Sequence, residues 1–219
     1  MSYKAVKLMV EGIGDETFLK KIISLKGVNC IEVKEMEGQG NLGMNFQSLR
    51  GDFVDRRHKV LAILIDSDNK SEKERKEFIQ NALENTFNHP VKLGAQNSAI
   101  EVQVESYTFQ LFYFLMPGNL DKMLHSIRAK KAPHAECFKT SWLQCVEKSG
   151  KEISETEIIK NATYIYQCWD CLTQEERKKT GIKASLQYAL ENNAYNLEHD
   201  NLKPLKQFLQ KISIAGDTE

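Results

Sequence analysis

The sequence predicts an α/β protein: a mainly parallel sheet flanked by helices, closed by a C-terminal helical layer. Three observations carry the α/β expectation. Short apolar runs alternate with amphipathic stretches through roughly the first 130 residues. One of them, "KVLAILIDSDN" (59–69), holds an unbroken apolar run from Val60 to Ile65, the composition of a strand buried on both faces of a parallel sheet. From about residue 134 the pattern becomes almost wholly helical.

Taken in order, "KAVKLMV" (4–10) reads as a short buried strand. "DETFLKKIISLKG" (15–27) carries Phe18, Leu19, Ile22, Ile23 and Leu25 at helical spacing and stops at Gly27. "CIEVKEM" (30–36) alternates as a second strand, and the glycine-rich "EGQGNLG" (37–43) forms a loop before a helix over "MNFQSLRGDFVDRR". After the long apolar strand, Ser71 and Glu74 stand in capping-box positions at the head of "SEKERKEFIQNALENTF" (71–87). Segments near 99–106 and 108–116 read as strands, and a short helix follows from about Asn119 to Ala129. The expected division is an α/β core over 1–130 and a helical extension over 131–219 packed on it, the two forming a core with an addition or one single domain.

Composition narrows the function classes. A hydrophobic fraction of 41% and a charged fraction of 27% describe a globular chain rather than a disordered one. Thirty basic and thirty acidic residues cancel, so any contact with nucleic acid must come from a local patch. The longest apolar stretch, "FQLFYFLM" (109–116), is far shorter than the roughly 20 residues that span a bilayer, so no membrane partner is expected. The opening "MSYKAVKLMVEG" has no secretory pattern, and five scattered cysteines suit free thiols in a reducing compartment; the expected location is cytoplasmic.

The chemistry concentrates at strand ends. Ligands of open parallel sheets bind beyond the carboxyl ends of the strands. The first strand runs into Glu11, with Asp15 four residues on, and the long strand runs into Asp66 and Asp68. In an extended terminus residues i and i+2 point the same way, so Asp66 and Asp68 could grip one ion together. Carboxylates gathered on one edge repel unless a hard divalent cation lies between them, which suits Mg2+ or Mn2+. The plainer reading of "DSDN" is a polar turn before a capped helix.

"VEGIGDETFL" followed by "LAILIDSD" resembles the Toprim fold of type II topoisomerases, primases, small recombination factors and OLD-type nucleases, over about residues 4–128. A narrower resemblance, to a functionally uncharacterised stand-alone Toprim-like group, rests on "MPGNLDKML" (116–124) and on "NNAYNLEHDNLKPLKQFLQKI" (192–212). There the amphipathic stripe is Leu202, Leu205, Phe208, Leu209 and Ile212. This likeness implies Mg2+- or Mn2+-dependent phosphodiester chemistry, most simply a nuclease or nickase. Glu11, Asp66 and Asp68 fall on the catalytic and metal-binding positions, with Glu11 as ligand or general acid/base. Asp15 and Asp121 are further metal candidates; at Asp121 the narrower group tends to have a glutamate. The likeness also implies a nucleic acid partner, DNA favoured, and a possible ATPase partner protein.

Two basic clusters offer phosphate contacts: Arg128, Lys130 and Lys131 in "SIRAKKAPH" (126–134), and Arg56 and Arg57 beside His58 in "DRRHK" (55–59). Charged clusters are more often solvated faces. A non-catalytic module binding metal, nucleotide or a partner protein is the alternative reading. A third rests on "HAE" (134–136) and "CWDC" (168–171), which are similar to a zinc deaminase pattern but lack its proline. "EIIKNATYIYQCWDCL" also reads as one amphipathic helix, with its cysteines as small core residues.

Overall fold

The apolar run becomes the middle of a sheet. In the computed structural model, which describes residues 4–54, 58–68, 70–88, 90–104, 107–180 and 186–217, β3 (Val60–Asp66) has every residue from Val60 to Ile65 buried. Both its neighbours are parallel: β1 (Val6–Val10) on one side and β5 (Tyr107–Met116) on the other. β2 (Ile31–Glu35) extends the sheet beyond β1, also parallel. β4 (Ile100–Val104) closes the other edge antiparallel to β5, giving the order β2-β1-β3-β5-β4. The fold is therefore α/β with a mostly parallel sheet, as the sequence predicts.

Helices cover both faces of that sheet. α1 (Ile13–Leu25) follows β1, α2 (Leu42–Val54) follows β2 after a single 3-10 turn (Gln39–Asn41), and α3 (Glu72–Phe87) follows β3. Met9, Leu61, Ile63 and Ile65 bury one face against Phe46 and Phe53 of α2 and Ile79 and Leu83 of α3. The alternate residues point to the other face, where Phe114 stacks on Phe208 of the closing helix α9 (Lys203–Asp217) at 5.3 Å between centroids. The capping box at Ser71 forms as expected: Glu74 N–H donates to Ser71 Oγ, and Ser71 N–H donates to Glu74 Oε2 at 2.8 Å.

The chain divides into two compact units, residues 1–118 with 203–219, and residues 119–202. The second unit is helical. It holds α4 (Leu120–Ser126), α5 (Pro133–Lys148), α6 (Glu155–Ile165), α7 (Gln174–Thr180) and α8 (Leu186–Glu191). α6 runs without a break into a π-helical turn, Tyr166–Asp170, so the helical reading of "EIIKNATYIYQCWDCL" holds. Tyr166 anchors this unit: its hydroxyl donates to Ala194 O and accepts from Lys130 N–H at 3.1 Å. Among the described residues no helix is long and apolar enough to cross a membrane.

Candidate functional site

Because β1 and β3 are parallel and adjacent, with Val10 opposite Leu64, their carboxyl ends emerge side by side. Glu11 is the first residue past β1 and Asp66 the last of β3. Glu11 Oε1 accepts the backbone N–H of Asp66 at 2.5 Å. This charge-assisted bond holds the glutamate across the strand ends, where a helix cap would have left it on its own turn. Asp15 takes the capping position instead: it is buried at the third position of α1, and its Oδ2 accepts from Gly12 N–H at 3.2 Å.

Main-chain hydrogen bonds fasten the neighbouring loops into one edge. Gly38 N–H donates to Glu11 O at 2.8 Å, and Met36 N–H donates to Val10 O at 2.8 Å. Gly38 has φ 101°, a conformation that only glycine adopts without strain. On the other side Ser67 N–H donates to Met116 O and Asp68 N–H to Gly118 O, while Ser67 Oγ accepts Gly118 N–H at 2.8 Å. The loops after β1, β2, β3 and β5 thus brace one another, and Glu11 and Asp66 sit within that brace.

Asp68 departs from the extended path that would align it with Asp66. The strand ends at Asp66, and Asp68 adopts φ 47° in a left-handed turn. Its Oδ2 pairs with Arg75 Nη2 at 2.7 Å, and Arg75 Nε donates to Ser67 O at 3.4 Å. Arg75 projects from the first turn of α3 and is 1% exposed, so a guanidinium lies beneath the loop as a fixed counter-charge. The sequence reading missed Arg75 because it stands in the charged run "SEKERKEF", where period and hydropathy mark a solvated face. The available signal was an arginine one turn into a helix that directly follows an Asp-Ser-Asp strand end.

Asp121 is in the first turn of α4, in the helical unit, where burial pushes its carboxyl above the usual range against the pull of Lys160. Arg128, Lys130 and Lys131 are in the same unit. Arg128 is committed to Glu136 at 2.7 Å and lies 5.5 Å from the Tyr166 ring centre, while Lys130 Nζ donates to Cys171 O at 3.3 Å. Arg56 and Arg57 lie outside the described residues. His58 is buried, its Nδ1 within 2.9 Å of Lys4 O.

Among the described residues no group of three or more His, Cys, Asp or Glu side chains stands ready to hold a metal ion. For the zinc pattern the geometry supplies a different explanation. His134 Nδ1 pairs with Asp170 Oδ1 at 2.7 Å, and Cys168 and Cys171 are buried on the π-turn and just after it. Burial pushes the Cys171 thiol up to about 11, away from the thiolate that zinc requires. Glu11 and Asp66 are hard oxygen donors of the kind that Mg2+ takes. That ion commonly takes one or two carboxylates and completes its octahedron with waters and substrate phosphate oxygens.

Over residues 5–213 the chain matches a family described as protein of unknown function (DUF3226). No curated protein matches it. Two solved structures resemble it, both of the C-terminal region of the Xanthomonas campestris pv. campestris OLD protein. The one phased with iodine is 15% identical, covers 99% of this chain and 97% of that chain, and superposes with a TM-score of 0.48. The one phased with mercury is 13% identical, with coverage of 99% and 98% and a TM-score of 0.45.

Proposed function

The chain belongs to the DUF3226 family of proteins of unknown function, and for it we propose Mg2+- or Mn2+-dependent phosphodiester chemistry of the Toprim type on nucleic acid, as a nuclease or nickase. One observation carries the reading: Glu11 and Asp66, from adjacent parallel strand ends, are joined by a 2.5 Å bond within a braced sheet edge. Such an edge is where open α/β sheets bind ligands. Glu11 and Asp66 would hold the ion, with Asp15 of the same unit as a weaker candidate. Bound there, it would supply charge neutralisation at the phosphate and activation of a water or hydroxyl.

The chain's own residues do the rest. Glu11 is oriented by the Asp66 N–H, which fixes its carboxylate across the two strand ends. Arg75 holds Asp68 in its turn and offsets one negative charge, so phosphate meets a less acidic edge. Nucleic acid is the proposed partner, DNA favoured, with an ATPase acting in trans as a further proposed partner.

Supercoiled plasmid with Mn2+ or Mg2+ tests this. Wild type should nick it, EDTA should stop it, and Glu11→Gln and Asp66→Asn should each lower the rate by about a hundredfold or more. Nicking that survives both substitutions would refute the site.

A second reading has its own observation. The Asp68–Arg75 pair and the absence of a three-donor group among the described residues favour a non-catalytic module that binds metal, nucleotide or a partner. Mn2+ binding by calorimetry, with no cleavage whether or not an ATPase is added, would select it.

A further inference from the structure

The helical unit carries a set of exposed and half-exposed rings. On α5 His134, Phe138 and Trp142 recur every four residues, which sets them along one flank of the helix over about 12 Å. Phe138 and Trp142 stack with centroids 5.6 Å apart and planes 17° apart. His134 lies 5.9 Å from Trp169 of the π-turn. Trp142 is 43% and Trp169 46% exposed. Between these rings and beyond them the exposed positions of α5 are mostly polar or charged, Glu136, Thr140, Ser141, Gln144, Glu147 and Lys148, with Cys137 and Cys145 among them. A protein interface with an apolar core would need a broader apolar surround than this.

The row begins beside a basic recess of about 610 Å³ whose wall includes Pro133 and Glu136 of the first turn of α5. Arg128, Lys130 and Lys131 line it against the single carboxylate of Glu136. Two of its polar atoms, Arg128 Nη1 and His125 Nδ1, are buried and have no hydrogen-bond partner. Burial and the charge of Arg128 hold the His125 imidazole below its usual range. The ring row is also fixed at this end. The buried Asp170 carboxylate accepts from His134 N–H and Ala135 N–H as well as pairing with the imidazole.

We propose that residues 119–202 form a platform for single-stranded nucleic acid, with a backbone phosphate in the basic recess and bases stacked on the Trp169, His134, Phe138 and Trp142 row. The inference rests on the phosphodiester reading above and names its substrate class: a strand already unpaired, whose bases are open to the rings. Cations beside exposed aromatic faces are the combination by which such strands are held, with little demand on sequence.

The only two tryptophans of the chain both lie in this row, so fluorescence excited to the red of tyrosine absorption reports on it alone. In EDTA, oligo(dT) or oligo(U) of about 15 nucleotides should quench that fluorescence, and a duplex of the same length should bind far more weakly. Labelled-strand anisotropy should show Trp142→Ala weakening binding by about tenfold or more, with Trp142→Phe restoring most of it. Lys131→Gln should lower the salt slope of log K by about 0.7. Quenching by either strand supports the platform, because DNA and RNA bases share the same faces. No binding of either strand, equal binding of duplex, or Trp142→Ala with native circular dichroism and unchanged affinity would overturn it. Strand binding in a protein that cleaves nothing would defeat the phosphodiester reading and leave the platform standing. Cleavage without strand binding would do the reverse.

Discussion

Asp68 and Asp121 are two acids whose chemistry is set by what surrounds them. Asp68 faces a buried guanidinium, so neutralising it removes the carboxylate from an Arg75 that water cannot reach. Asp68→Asn should therefore lower stability by about 2–3 kcal/mol, below the full cost of breaking a buried pair because the aspartate is itself part-exposed. Urea denaturation measures it; an unchanged or raised midpoint would mean that Arg75 does not depend on this partner. Asp121 shows the opposite sign. Its folded carboxyl titrates above the unfolded one, so the folded state binds the extra proton and stability falls as pH rises from about 4 through the raised value. Asp121→Asn should raise the melting temperature at pH 7, and the gain should shrink as pH approaches 4. A gain that is constant across pH 4–8 would contradict burial as the cause.

Among the elements, α9 gives the sharpest case of packing overriding propensity. Leu202, just before it, and Leu205, Phe208, Leu209 and Ile212 within it are all buried, as the amphipathic stripe requires. One turn on, Gly216 is buried where a Cβ would stand 2.5 Å from Val6 Cγ2 at the start of β1. Alanine is worth about 1 kcal/mol over glycine inside a helix. Here it would strike a β-branched side chain with little freedom to move, at an overpacking cost of about 1–3 kcal/mol. Gly216→Ala should therefore melt below wild type by thermal denaturation, and a higher melting point would show that the helix end yields. The π-turn after α6 makes a related point. Hydropathy predicts helix through "YQCWD", but the turn widens where Gln167 Nε2 reaches the Tyr195 hydroxyl at 2.8 Å, a partner 28 residues away.

For the whole molecule, the chain leaves the sheet unit after Gly118 and returns to it with α9. The intervening unit carries its own row of rings and basic recess, while Glu11 and Asp66 belong to the sheet unit. The sequence by itself determined the strand and helix order, the central strand, the capping box at Ser71 and the acids at the strand ends. Each of these is written within ten to twenty adjacent residues as period, burial pattern or cap chemistry. Only the tertiary structure decided that Glu11 bonds to Asp66, 55 residues away, that Asp15 caps a helix, and that Asp68 turns toward Arg75. Those outcomes depend on one left-handed dihedral, on strand register and on which charged side chain is enclosed, and hydrophobic period records none of the three.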